Sequence, residues 1–253
     1  MIPRSQRAVA YTDLVAAAQE TNAPSKLRIA EIFASIQGEG MWLGHPSTFV
    51  RVSGCNLRCR WCDTPYASWE PEGPVMEIDE IVQLVADNSP RHVVLTGGEP
   101  MLFDAIVPLA ESLKRMDKTI TIETAGTVFR ELPCDLMSIS PKLSGSTPDK
   151  ESGWRERHET TRLNLETLKN LQNTYRHQLK FVVNPEEGDE IAEILDLLAK
   201  LGSSIENVMI MAEGRDTETL HRRERMLVPI CMQYGFRLTP RYQIDLFGDK
   251  RGT

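Results

Sequence analysis

Three cysteines, Cys55, Cys59 and Cys62, sit at C-x3-C-x2-C spacing in the segment Gly54-Cys55-Asn56-Leu57-Arg58-Cys59-Arg60-Trp61-Cys62-Asp63-Thr64. Thiolates this close in sequence can converge on one inorganic centre, and thiolate-rich sites favour iron–sulfur clusters or zinc. A four-iron cluster held by three protein thiolates leaves one iron open to an outside ligand. Zinc would need a fourth ligand, for which His45 and His92 are the nearest candidates, and structural zinc motifs usually come as two spaced pairs. Unligated core cysteines rarely fall in this pattern. Cys134 and Cys231 stand alone and far apart. They read as small buried hydrophobes, so one cluster per chain is expected.

Bulk properties narrow the setting. The 253 residues fit one sizeable domain, and 41% hydrophobic with 26% charged residues is an ordinary composition for a packed core. A formal charge of -7 argues against broad binding to nucleic acid or anionic membranes, which needs clustered Lys and Arg. The one basic run, His221 to Arg225, is interrupted by Glu224 and reads as a solvated helix face. No apolar stretch approaches a membrane span, and no secretory leader is evident at the N-terminus. The expected location is cytoplasmic, where an odd number of cysteines points to metal ligation rather than disulfides.

The elements that must position these residues alternate. Ile29 to Ile36 and Ser47 to Val52 read as strands around a loop punctuated by Gly38, Gly40, Gly44 and Pro46. Apolar runs then recur at Val93 to Thr96, Ile120 to Glu123, Leu136 to Ile139, Leu179 to Val183 and Val208 to Met211. Helical spacing appears at Ile78 to Val85, Leu109 to Met116, Leu163 to Leu171 and Ile191 to Leu201. Such alternation predicts an α/β fold of βαβ units on a parallel sheet, as a barrel, part of one or a doubly wound sheet, with chemistry at strand C-terminal ends. Residues 1–26 are expected to form an N-terminal extension with one short helix over Tyr11 to Glu20, and 27–253 the catalytic domain. The polar stretch Ser144 to Glu159 reads as a surface excursion near the site.

The cysteine spacing, with aromatic Trp61 before the last cysteine, resembles the radical S-adenosylmethionine (SAM) superfamily, as does Gly97-Gly98-Glu99-Pro100 after the run His92 to Thr96. The resemblance implies a single-domain partial (β/α)6-type parallel barrel, with one [4Fe-4S] cluster on Cys55, Cys59 and Cys62 and SAM at the open iron. Trp61, Asp63, Gly98 and Glu99 are then expected around SAM. Glycines admit close backbone approach, and Glu99 with strand-end carbonyls can receive the SAM ammonium.

A narrower likeness starts before the cysteines. Ser35-Ile36-Gln37-Gly38-Glu39-Gly40, then Phe49-Val50-Arg51-Val52-Ser53-Gly54-Cys55, resembles the 7-carboxy-7-deazaguanine synthase (QueE) family from about Arg28 to the C-terminus. That family converts 6-carboxy-5,6,7,8-tetrahydropterin to 7-carboxy-7-deazaguanine with loss of ammonia, on the route to queuosine and related deazapurines. The resemblance implies that a 5'-deoxyadenosyl radical takes hydrogen from C6, the ring contracts and SAM is regenerated. It assigns Ile36, Gln37, Gly38 and Glu39 to the pterin, Arg51 to its carboxylate and Thr96 to a further substrate contact, with Glu39, Arg51 and Thr96 as the catalytic set. A Glu and a Gln suit the pterin donor edge and carbonyl, and an Arg fork suits its carboxylate. Thr64 is expected to help hold Mg2+, and Ser140-Pro141-Lys142 and Glu123 to meet SAM.

The tail Pro240 to Thr253 also looks like the family's ending, except that Gln243 stands where histidine is expected. An amide there can donate but cannot titrate. The resemblance further implies a homodimer reduced by flavodoxin or ferredoxin. Two other readings stay open on the residues alone. One is an activase that makes a glycyl radical on a partner enzyme, and the other is a zinc-stabilised interaction module.

Overall fold

Alternating burial and helical capping build the elements. The computed structural model describes residues 25–188 and 190–253. Nearly all of the expected extension, its helix included, lies outside them. Lys26 already opens the first strand, β1 (Lys26–Ile36). There follow β2 (Pro46–Val52), β3 (Val75–Glu77), β4 (His92–Gly97), β5 (Thr119–Thr124), β6 (Leu136–Ile139), β7 (His177–Val183), β8 (Val208–Ala212) and β9 (Arg237–Leu238). The inner strands are largely buried on both faces, β6 and β8 throughout, as parallel strands covered by helices must be.

Helix α1 (Ile78–Ala86) starts at a capping box of Glu77 and Glu80 and buries Ile78, Ile81, Val82 and Val85, one stripe at helical spacing. Helix α2 (Ile106–Arg115) buries Ile106, Leu109, Ala110 and Leu113 in the same way. Within the expected excursion lies α3 (Arg155–Thr161), followed by α4 (Leu165–Thr174), α5 (Glu190–Leu201), α6 (Thr217–Tyr234) and α7 (Tyr242–Phe247). Side chains of Asn164 and Asp216 cap α4 and α6. Among the described residues no helix is long and apolar enough to cross a membrane.

One sheet runs β3-β1-β2-β4-β5-β6-β7-β8-β9. From β2 onward neighbours are parallel, whereas β1 is antiparallel to both β2 and β3. Alternation did not foresee that antiparallel edge, and it matters for the site. Ile36, the last residue of β1, pairs with Pro46, the first of β2. The loop after β1 therefore leaves from the end where the parallel strands begin. It crosses to the far side of the sheet, where Gly40 N donates to Thr239 Oγ1 at 2.8 Å and Met41 N to Gln178 Oε1 at 2.7 Å. This crossing ties β1 to β7 and the tail, closing the partial barrel from below.

Candidate active site

The cysteine loop hangs from the C-terminal end of β2. Its return is fixed by backbone bonds, Gly54 N to Ala67 O at 2.8 Å and Glu99 N to Gly54 O at 2.9 Å. The two glycines after β4 serve this packing. Gly97 has φ 139° and a side chain there would strike Val52 O, while a Cβ on Gly98 would lie 2.2 Å from Gly54 O and 2.4 Å from Ala67 O. Glu99, fully buried, accepts from Met101 N (3.0 Å), Ala125 N (2.8 Å) and Thr124 Oγ1 (2.7 Å). The structure thus uses it to tie the ends of β4 and β5, and Glu99 is not among the residues that line the cavity.

The donor set fits a cluster. Cys59 is buried and Cys55 half-buried, and burial pushes both thiols up to about 12, so thiolates persist there only against a bound cation. The zinc candidates stand elsewhere. His45 precedes β2 and His92 opens β4, at the opposite end of the strands, with His92 bonded to Ser47 Oγ and Thr121 Oγ1. Cys134 lies at that same end, before β6, and Cys231 is on α6.

An open cavity of about 210 Å³ lies inside the barrel mouth. Register places its wall. Arg51 pairs with Thr96 across β2 and β4, and Glu123 with Ser138 across β5 and β6. Phe33 and Phe49, cross-strand partners on β1 and β2, stack at 5.0 Å and 8° on one side. A flat ring system can lie along such a surface. Arg51 Nε donates to Glu31 Oε1 at 2.6 Å, an oxygen that also accepts from Tyr66 OH at 2.8 Å. This holds the guanidinium at the wall while using one of its five donors.

Thr96 Oγ1 donates to Glu123 Oε2 at 2.8 Å, and Gln37 Nε2 to Glu123 Oε1 at 3.2 Å. Glu123 is therefore brought to the residues expected to read substrate, although the resemblance gave it to SAM. Ile36, Gly38, Trp61, Asp63, Thr64, Gly98, Ser140 and Lys142 also line the cavity, whereas Pro141 and the three cysteines do not. Lys142 Nζ donates to Ser140 Oγ at 2.8 Å and sits over the Trp61 ring at 5.7 Å. Among the described residues the Thr64 hydroxyl has only a long contact, 3.8 Å, to Cys62 Sγ. A lone free oxygen beside the Asp63 carboxylate fits Mg2+, which takes few protein ligands.

Below them Glu39 is the centre of a charge cage. Lys180 Nζ donates to its Oε2, Gln243 Nε2 to Oε1 at 2.8 Å and Arg241 Nε to Oε1 at 3.4 Å. Burial opposes the Glu39 charge, yet Lys180 and Arg241 hold its carboxyl down at about 2. Arg241 also pairs with Asp63, whose carboxyl is lowered because the guanidinium outweighs burial. Gly38 lets the tail come this close, since a Cβ would stand 1.8 Å from Gln243 Oε1. That Gln243 oxygen is buried without a hydrogen-bond partner among the described residues, an open acceptor in the cavity wall.

Sequence reasoning missed Lys180, Arg241, Phe33 and Phe49. A lysine inside the apolar run Leu179 to Val183 was a readable signal, because a buried charge needs a partner. The other three carried none before the topology was known.

Fold and three-cysteine loop define a radical SAM enzyme, and the Radical SAM superfamily model matches residues 49–198. A 7-carboxy-7-deazaguanine synthase of Rhodopirellula baltica is 45% identical over 232 residues, covering 90% of each chain. One from Halobacterium salinarum is 42% identical, covering 88% of this chain and 91% of the relative. The chain belongs to the 7-carboxy-7-deazaguanine synthase family. The crystal structure of QueE from Escherichia coli shares the fold, with TM-score 0.64 at 22% identity over 85% of this chain and 93% of that one.

Proposed function

We propose that this chain converts 6-carboxy-5,6,7,8-tetrahydropterin to 7-carboxy-7-deazaguanine with release of ammonia, as a Mg2+-assisted radical SAM lyase. The observation that carries the reading is one cavity in which Arg51, Gln37 and Glu39 surround the Phe33–Phe49 stack beside the cysteine loop. When bound, the [4Fe-4S] cluster on Cys55, Cys59 and Cys62, once reduced, and SAM supply the hydrogen-abstracting radical chemistry.

The chain's own residues bind and orient. The free donors of Arg51 take the pterin carboxylate, and the Phe33 and Phe49 wall keeps the ring flat against β1 and β2. Glu39, kept ionised by Lys180 and Arg241, accepts from the amidine-like edge, and Gln37 pairs with the neighbouring carbonyl. Thr96 and Glu123 complete that polar wall. Thr64 would contribute one oxygen to Mg2+, which would supply positive charge beside the substrate. Trp61, Gly98, Ser140 and Lys142 would hold SAM, with Lys142 offering its ammonium to a carboxylate or ribose oxygen.

Beyond the site, the reading includes a cytoplasmic homodimer reduced by flavodoxin or ferredoxin, with no nucleic-acid partner. The test is anaerobic incubation of reconstituted, reduced protein with SAM, Mg2+ and the carboxypterin. A deazaguanine chromophore and ammonia are expected. A fully loaded cluster with no product refutes the assignment.

A further inference from the structure

The excursion between β6 and α4 packs directly on the cysteine loop. Between Cys55 and Cys59 the backbone N–H of Arg58 donates to Nδ1 of His158 at 3.2 Å. His158, on α3, is completely buried. Since Nδ1 accepts, the ring proton must sit on Nε2, which meets Ser146 Oγ at 3.0 Å. Ser146 in turn donates to Leu143 O at 2.6 Å, so each donor in the chain has one acceptor. Two more bonds run alongside, Arg60 N to Ser146 O at 2.9 Å and Arg60 Nε to Gly145 O at 2.7 Å.

The Arg58 side chain finishes the clamp from the other direction. Its NH1 donates to Cys55 O at 2.8 Å and Leu57 O at 2.7 Å. The guanidinium lies over the Trp154 ring at 4.2 Å and near Trp69 at 5.9 Å, while Trp69 Nε1 donates to Cys59 O at 3.1 Å. The backbone that sets the spacing of the first two cysteines is therefore held by His158 and Trp69 from outside the segment and by the Arg58 side chain from within it.

We propose that His158 is a positioning residue for the cluster. Its Nδ1 fixes the Arg58 amide, and with it the relative placement of the Cys55 and Cys59 thiolates. Without that acceptor a buried N–H is orphaned and the loop must shift to satisfy it. The effect is on how firmly iron is held and on the cluster's electronic surroundings. No contact with substrate is involved.

The inference rests on Cys55, Cys59 and Cys62 being the cluster ligands, and the experiment separates the two claims. Wild type, His158→Leu, His158→Asn and His158→Gln are reconstituted anaerobically. Iron release to a chelator and the electron paramagnetic resonance spectrum of the reduced cluster are recorded with and without SAM. His158→Leu is expected to lose iron about tenfold faster with an altered spectrum, the factor expected for one orphaned buried donor. His158→Asn, whose amide can accept from Arg58 and donate to Ser146, should return to within about twofold of wild type. Should His158→Leu show no cooperative melt, His158→Gln decides, because its longer side chain carries the amide to the Nε2 position and leaves the Arg58 N–H without its acceptor, and faster iron release is expected there too. Release at the wild-type rate in the deciding variant, or no rescue by asparagine, overturns the proposal. A wild type that binds no iron overturns the ligand assignment beneath it.

Discussion

Lys180 on β7 and Glu39 in the loop after β1 form an ion pair whose side chains are only 8% and 13% exposed. They lie 141 residues apart in sequence. Removing one member of such a pair leaves the other charge uncompensated. Lys180→Met should therefore lower stability by roughly 3–5 kcal/mol and raise KM for the pterin more than it lowers kcat. Thermal melting with steady-state kinetics checks both.

Glu39 also makes acid stability titratable. Its carboxyl moves from the usual 4.5 to about 2 in the folded chain. A depressed folded value contributes stability that is complete above about 4.5 and disappears as pH falls through about 2. Glu39→Gln should therefore be less stable than wild type near neutrality, by a few kcal/mol, with the gap closing on acidification across that window. Urea unfolding at stepped pH, at matched iron content, measures it.

Arg51→Lys keeps the charge and discards the fork. The carboxylate-binding reading predicts a rise in KM of roughly 10- to 100-fold with kcat changed far less, since one or two charge-assisted hydrogen bonds are lost. A pterin lacking the carboxylate should bind wild type and the variant about equally. Isothermal calorimetry with both ligands separates the carboxylate contact from general loosening.

Chelating Mg2+ should suppress turnover reversibly. Thr64→Val, which deletes the free hydroxyl, should need about tenfold more Mg2+ for half-maximal rate, a loss of the size seen when a metal's surroundings lose one polar partner. A Mg2+ titration of both proteins is sufficient.

Gly98→Ala should disturb the cluster loop without touching a cysteine. The added carbon would meet two backbone carbonyls, Gly54 O and Ala67 O, neither of which can swing aside like a side-chain tip. A cost of about 1–3 kcal/mol and a fall in bound iron after reconstitution are expected, by melting and iron assay.

Much of this was legible before the structure. Strand runs such as Val93 to Thr96 and helical stripes such as Ile78 to Val85 are local patterns, and they became β4 and α1. The cysteine spacing is local too. Strand β3, with three residues, and β9, with two, are too short to carry a period. The antiparallel direction of β1 depends on pairing with β2, which no property of Ile29 to Ile36 announces. Long-range partnership also hid Arg241, whose role comes from Asp63 and Glu39, 178 and 202 residues away. His158 sat in a stretch that reads as polar surface, and only the packing of α3 on Arg58 gives it a role.

The tail that follows β9 has a consequence for how the protein is made. Strands β1 to β8 leave the ribosome before Arg241 and Gln243 do, and until the tail follows, Glu39 has Lys180 alone to face. The pocket is thus the last part of the molecule to be completed. Any polypeptide stopped short of Pro240 lacks the guanidinium and the amide that hold Glu39, and should be unable to hold the pterin.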